Sequence, residues 1–112
     1  MFLFVYININ MGKQELKVGD LFHRSWGYDM TFNDFWQVVK VKSPCTIVVR
    51  PIGSEVVEWY DGWSGREKPV KDKFIGWEET YRVGKSGWIK VNDYDHAWKS
   101  KWEQDWYFNR LD

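Results

Sequence analysis

The sequence has a single cysteine, Cys45, among its 112 residues, and only three prolines. One cysteine cannot form an intramolecular disulfide, which excludes a small secreted disulfide scaffold. Cys45 lies in an apolar run, so we expect it to be a small buried side chain. No apolar stretch approaches the ~18 residues of a membrane-spanning helix, so no membrane association is expected.

An excess of charge of either sign is also lacking. Lys and Arg total 16, and Asp and Glu total 16, so the formal net charge is zero. Proteins that bind mainly through phosphate contacts are usually basic, and mimics of DNA are acidic. The whole chain fits neither class.

Aromatic residues are abundant, with nine Trp, six Tyr and seven Phe. The length fits one domain with a hydrophobic core of its own. Together, the aromatic content and the neutral charge favour a binding module over an enzyme.

The first ten residues are apolar but have neither a basic segment nor a small-residue cleavage site, which argues against a signal peptide. One interpretation makes residues 1–10 an extra strand, because they are rich in β-branched and aromatic residues. In the other, which we prefer, Met11 is the true start and residues 1–10 are an upstream extension. Residues 11–112 are expected to form a single small domain.

Short strand-like runs follow one another, separated by Gly, Asn, Asp and Pro. This spacing is typical of a small antiparallel sandwich or barrel, and we predict a mainly β fold, a small SH3-like barrel. The predicted runs are Lys17–His23 with a turn at Gly19-Asp20, Phe35–Lys42, Cys45–Arg50, Ser54–Tyr60, Thr80–Val83 and Gly87–Val91.

The C-terminal segment fits two patterns. Trp98, Trp102 and Trp106 are spaced as on one face of a helix, with Asn92 as a possible N-cap. Trp102, Gln104, Trp106 and Phe108 also fall at every second position, as on one face of a strand. We predict a short helical element from about Tyr94 and a strand-like end near Trp106.

A further pattern begins with Val18-Gly19-Asp20-Leu21-Phe22 and continues with Trp26-Gly27-Tyr28-Asp29-Met30-Thr31 and Asp34-Phe35-Trp36-Gln37-Val38-Val39. It resembles a group of small uncharacterised proteins from bacteriophages and mobile elements. Ile89-Lys90-Val91 with Tyr94, Ala97 and Trp98 is similar to the group's C-terminal block. The chain departs from the group at Trp98–Trp102 and in the insert Trp59–Trp77.

This resemblance implies a small β-barrel in the cytoplasm of a bacterial host, and it transfers no catalytic residue. Small phage proteins of this kind often inhibit host defence, as anti-CRISPR proteins do. The expected partner is therefore a host protein or protein complex, blocked sterically, with a nucleic-acid or nucleotide-binding module as the alternative.

Two segments supply the candidate contacts. In the Trp26–Thr31 loop, Asp29 is expected to close an Asx turn, and the aromatic side chains either cap the barrel or anchor a partner. The insert Trp59–Trp77 combines turn dipeptides with basic residues, and is expected to be a loop. Trp63 lies between two turns, whereas Trp59 and Trp77 are expected to fold back into the core. The predicted partner-binding residues are Trp26, Tyr28, Trp63, Arg66, Lys68, Lys71 and Lys73.

Catalytic chemistry has little support, and no cofactor or metal is expected. Ser25 near His23 lacks an orienting acid at a recognisable spacing. Asp93-Tyr94-Asp95-His96 could hold a metal weakly, but an Asx-capped turn is the better interpretation. The stretch from Asn92 onward has five acidic and three basic residues, so we expect an acidic patch beside the basic insert.

Overall fold

The computed structural model of the protein describes residues 15–110, which form eight β-strands and no helix. All pairings between the strands are antiparallel, so the predicted mainly β antiparallel fold is confirmed. The strands are β1 (Leu21–Trp26), β2 (Phe32–Ser43), β3 (Thr46–Trp59), β4 (Ser64–Phe74), β5 (Glu79–Arg82), β6 (Trp88–Lys90), β7 (His96–Ser100) and β8 (Trp106–Asn109). The prediction for residues 1–10 concerns residues outside this range.

The strands form one sheet in the order β6-β7-β1-β2-β3-β4-β8, and β5 pairs with β3 beside β4. The two predicted runs Cys45–Arg50 and Ser54–Tyr60 are therefore parts of one long strand, β3. Pro51 does not break it. The carbonyl of Pro51 accepts a hydrogen bond from the Ile75 amide at 2.9 Å. The backbone N and O of Pro51 therefore point away from β2, toward the gap between the part of β3 that pairs with β4 and the part that pairs with β5. Strand pairing at this position requires no N–H donor from residue 51, which is why a proline is tolerated there.

The sheet formed by residues 15–110 is not closed, so the predicted SH3-like barrel is wrong. The insert Trp59–Trp77 also differs from the expected loop, because most of it is strand β4. With β8 paired to its outer side, β4 extends the sheet beyond β3. The isolated bridges Val83↔Ile89 and Thr31↔Asn109 are single residue pairs, and neither completes a barrel.

The predicted C-terminal helix is also wrong, because residues 96–100 and 106–109 are strands β7 and β8. Ala97 is fully buried on β7, whereas its neighbour Trp98 is exposed, as alternation in a strand requires. Charged residues of this segment pair with residues that are distant in the sequence. Asp95 binds Arg24, and Lys99 lies 3.5 Å from Asp20.

Both faces of the sheet bury side chains. One core contains Phe22, Trp36, Val38, Ile47, Val49, Ile89 and Ala97, and the other contains Leu21, Phe35 and Ile52, covered by Phe74, Trp102 and Trp106. The consecutive residues Leu21 and Phe22 thus belong to opposite cores, as the two-residue period of a strand dictates. Cys45 is only half-buried, in contrast to its expected burial.

Among residues 15–110 there is no helix with the length and hydropathy needed to cross a membrane.

Candidate functional site

Three connections lie at the same end of the sheet, because neighbouring strands run in opposite directions. They are the β1–β2 loop, the β3–β4 turn and the β6–β7 turn. The end of β8 joins them, since Thr31 and Asn109 exchange two backbone hydrogen bonds of 2.9 Å. The Arg110 amide also donates to the Trp63 carbonyl at 2.8 Å, which fixes the β3–β4 turn against this chain segment.

This end carries seven exposed aromatic side chains, and we call it the aromatic end. Tyr28 is 98% exposed and Trp63 is 47% exposed. Several exposed large aromatic side chains at one end of a molecule are typical of an interaction site. The members of the aromatic end are Trp26, Tyr28, Trp59, Tyr60, Trp63, Tyr94 and Tyr107.

The β3–β4 turn holds Trp63 through an Asx turn. The Asp61 carboxylate accepts hydrogen bonds from the Trp63 amide at 3.0 Å and the Ser64 amide at 2.7 Å, and a third from the Ser64 hydroxyl at 2.8 Å. These donors, the Trp63 amide first, lower the pKa of Asp61 because they favour its charged form. The turn is therefore ordered, although Trp63 remains exposed.

The β1–β2 loop presents its two aromatic residues differently. The Trp26 indole NH donates to Asp34 at 2.8 Å and its ring lies 4.8 Å from that of Phe32, so Trp26 is fixed in place. Tyr28 projects into solvent. The expected Asx turn at Asp29 is wrong, because the Thr31 amide donates to Asn109 instead.

The predicted basic residues do not gather around these rings. Arg66 lies near the turn but binds Asp105, with Nε 2.6 Å from a carboxylate oxygen. Lys68 is half-buried opposite Glu55. Lys71 and Lys73 lie at the far end of β4, where one ammonium sits 5.9 Å from the Trp102 ring and the other donates to the Ser54 carbonyl at 3.3 Å. The structure therefore places Trp26, Tyr28 and Trp63 at one end of the sheet, whereas Lys71 and Lys73 lie away from it.

The expected separation of a basic and an acidic patch is also incomplete, because the two stretches pair with each other. Arg66 of the insert binds Asp105 of the C-terminal stretch, and Glu67 binds Arg110. The surface near the turn is consequently closer to neutral than the two stretches are separately.

Four members of the aromatic end were missed or misjudged from the sequence. Trp59 was expected in the core but is 56% exposed, and its ring meets Phe108 at 5.4 Å across the intervening Gly65. Tyr60 stacks on Tyr107 at 6.3 Å. Tyr94, 90% exposed, lies in the β6–β7 turn. The alternation around Trp106 was the available signal for Tyr107, since it places neighbouring residues on opposite faces.

A buried polar network lies beneath the aromatic end and had no sequence prediction. Glu67 is only 2% exposed, yet three side chains satisfy it. Asn33 Nδ2 donates to Oε2 at 2.8 Å, while Ser54 and Arg110 donate to Oε1 at 2.6 and 3.1 Å. A buried carboxylate is stable only with such partners, so Glu67 links β2, β3 and β4 with the residue after β8.

The same network fixes the protonation of His23. The Asn33 amide group donates to Glu67 and to the Tyr107 carbonyl, which leaves its oxygen as the acceptor. That oxygen lies 2.8 Å from His23 Nε2, so Nε2 carries the proton. Ser25 also donates to Asn33 at 2.7 Å. His23 Nε2 therefore does not act as a base toward Ser25, although the two lie 3.2 Å apart.

Burial lowers the pKa of His23, while the Asn33 hydrogen bond and the charges of Asp34 and Glu67 oppose this shift. The ring stacks on Trp106 at a centroid distance of 4.2 Å and lies 5.1 Å from Phe35. An imidazolium in these surroundings is disfavoured, so the neutral ring is part of the core.

The Asp93–His96 stretch forms a turn. The Asn92 side chain accepts hydrogen bonds from the amides of Tyr94 and Asp95 at 2.8 and 2.9 Å, as expected for an Asx-capped turn. Asp95 binds Arg24, and His96 packs edge-on against Trp88. Across the described part of the chain, no group of three or more His, Cys, Asp or Glu side chains is placed to hold a metal ion.

A scan of the chain against protein-family models found no match, and searches of the curated proteins and of the solved structures found none either. The resemblance in sequence to small phage proteins accordingly stays a prediction.

Proposed function

We propose that this protein is a non-enzymatic binding protein whose aromatic end docks on a partner protein. The observation that carries the proposal is the gathering of exposed Trp and Tyr side chains from three connections at one end of the sheet. Trp and Tyr are enriched among the residues that dominate binding energy at interfaces. The Trp26 indole is held by its hydrogen bond to Asp34, and the backbone of Trp63 is held by bonds to Asp61 and Arg110, so little backbone entropy is lost when this end binds.

The charges near this end favour a protein partner. Arg24, Arg66 and Arg110 each form an ion pair with a carboxylate of the same chain. Binding to phosphates would require these cations to exchange partners, whereas a protein surface can accept the rings and leave the ion pairs intact.

In its specific form, the proposal follows the resemblance noted in the sequence. The partner would be a protein of a bacterial defence complex, which the domain inhibits by steric blockade. Genes for defence or anti-defence proteins beside this one would support that form, and their absence would leave the aromatic end as a surface for another protein.

Capture of a partner from bacterial lysate tests the docking surface. The wild-type chain is compared with Tyr28→Ala, Trp63→Ala, and Trp77→Ala as the matched control. Trp77 is 89% exposed but lies between β4 and β5, away from the aromatic end. We expect the first two variants to recover less of a specific protein and the control to recover the wild-type amount. Equal recovery by all four chains would refute the proposed surface.

A nucleic-acid-binding module is the second candidate, and one observation favours it. Lys71 and Lys73 are exposed on β4, so cations are available to phosphates on that strand. Salt titration separates the candidates, because phosphate contacts make log K fall linearly with log salt. A steep linear loss of binding to single-stranded oligonucleotides, with no protein captured, would favour this second function.

A further inference from the structure

A cavity of about 580 Å³ lies at the end of the sheet opposite the aromatic end. It is open to solvent on one side, and the β2–β3 turn, the β5–β6 turn, strand β6 and the segment before β1 line it. This volume falls within the range of sites that hold small organic ligands. The cavity contains no residue of the aromatic end, so it is a separate feature.

The wall of the cavity is apolar and partly aromatic, formed by Leu16, Pro44, Val83 and Trp88. The Trp88 ring is positioned by Gly84, where an added Cβ would lie 2.8 Å from the indole. The Gly84 amide also donates to the Trp88 carbonyl at 2.8 Å, and the His96 ring packs edge-on against the Trp88 ring at a centroid distance of 4.6 Å. These contacts fix the position of the indole, which forms part of the cavity wall.

The charged groups around the cavity all have one sign. Arg82, Lys85 and Lys90 line it, and none of its described lining residues is acidic. All three cations belong to exposed residues, on β5, the β5–β6 turn and β6 respectively. A concave apolar site whose charged lining residues are all cations raises the local concentration of anions.

We propose that this cavity binds a small organic anion with a flat apolar body, such as an aromatic carboxylate or sulfonate. The body lies against Trp88 and the apolar wall, and the acidic group faces Arg82, Lys85 and Lys90. This site is independent of the proposed docking of a partner at the aromatic end.

Titration of the full chain with 8-anilinonaphthalene-1-sulfonate tests the site, because this fluorescent probe combines a flat apolar body with a sulfonate. We expect saturable binding of one probe per chain. Arg82→Ala and Lys85→Ala should each weaken binding by about tenfold, the effect of losing one charge-assisted contact. Lys40→Ala, an exposed lysine on β2 outside the cavity, should bind as wild type does. The uncharged 1-anilinonaphthalene should bind more weakly.

The only cysteine provides a second readout. Cys45 lines the cavity, with its Sγ 3.8 Å from a guanidinium nitrogen of Arg82. Saturating probe should slow alkylation of Cys45 by iodoacetamide, followed by intact mass. Circular dichroism checks that the variants are folded.

Three results would overturn the assignment. Unchanged affinity in Arg82→Ala and Lys85→Ala would show that the cations do not hold the sulfonate. Loss of binding in Trp63→Ala instead would place the probe at the aromatic end. An unchanged alkylation rate at saturation would place the probe away from Cys45.

Discussion

At the scale of single residues, Glu67 has the most demanding environment. Its carboxylate is buried and accepts hydrogen bonds from three side chains on different elements. Glu67→Ala leaves the Asn33 amide and the Ser54 hydroxyl without this acceptor. We expect a loss of about 3 kcal/mol in the free energy of unfolding, measured by urea denaturation.

Glu58 provides the matched control for that variant. It is exposed on β3 and lies opposite Arg66. Glu58→Ala should change stability by less than about 0.5 kcal/mol, as surface substitutions usually do. Similar losses of unfolding free energy in the two variants would mean that the buried network stabilises the protein no more than an exposed residue does.

The burial of His23 predicts that the stability of the protein depends on pH, and it also determines the sign of this dependence. Its pKa in the folded protein is lowered from 6.5, chiefly by desolvation, so below pH 6.5 the unfolded chain binds more protons. Stability therefore falls as the pH drops from about 6.5 toward the lowered pKa of the folded state. Thermal unfolding between pH 7 and pH 5, in buffers of equal ionic strength, measures the slope.

His23→Gln removes the titrating group and should flatten this slope. His96→Gln, at the exposed second histidine, should retain it. A wild-type slope in His23→Gln would contradict the assignment. Asp61 affects stability in a separate and more acidic range. Its pKa is lowered from 3.8, so its contribution to the stability of the fold is lost only as the pH falls through values below 3.8.

At the scale of elements, the join between β3 and β4 depends on the close approach of their backbones at Gly65. A Cβ at Gly65 would lie 2.0 Å from the Glu58 carbonyl oxygen, which is a backbone atom of the paired strand. Gly65→Ala must therefore push β3 and β4 apart beneath Trp59. We expect it to destabilise the protein by about 1–3 kcal/mol.

Gly62→Ala is the matched control, since a Cβ there meets nothing within 4 Å. Its effect on the urea midpoint should be small. The Trp59–Phe108 contact crosses Gly65, so Gly65→Ala should also weaken any binding that uses Trp59. A stable Gly65→Ala variant with unchanged binding would contradict the geometry of this join.

Local patterns predicted part of these elements. The runs around Phe35–Lys42 and Cys45–Arg50 were recognisable because strand propensity and turn residues are properties of neighbouring residues. The continuation of β3 through Pro51 was not, because it depends on the gap between two partner strands. The C-terminal helix failed for a similar reason. Helical spacing of Trp residues is local, whereas the contacts of β7 with β1 and β6 are not.

At the scale of the whole molecule, the two ends of the sheet differ in chemistry. One end carries exposed aromatic residues beside paired charges, and the other has an open apolar cavity whose charged lining residues are cations. The zero net charge of the sequence does not reveal this arrangement, because Arg24 and Asp95, for example, are 71 positions apart in the chain and meet in the fold.

The candidate site was predictable only where a residue's neighbours in the sequence prevent its burial. Trp63 lies between turn dipeptides, and its exposure agrees with that expectation. The location of Trp59 at this site depends on how far β3 extends, and that of Tyr107 depends on the pairing of β8 with β4. The basic residues of the insert were grouped by sequence, but strand β4 carries Arg66 and Lys73 to different ends. Which residues lie near one another at the candidate site is therefore determined by the topology of the sheet.

The central claim is that the aromatic end is the surface that binds a partner protein. The most direct test is the dissociation constant of the captured partner for wild type, Trp63→Ala and Trp77→Ala, measured by calorimetry. The account predicts that Trp63→Ala weakens binding by roughly thirtyfold, about 2 kcal/mol, as for a central aromatic contact, and that Trp77→Ala binds as wild type does. Equal affinity of Trp63→Ala and wild type, or a larger loss in Trp77→Ala, would contradict it.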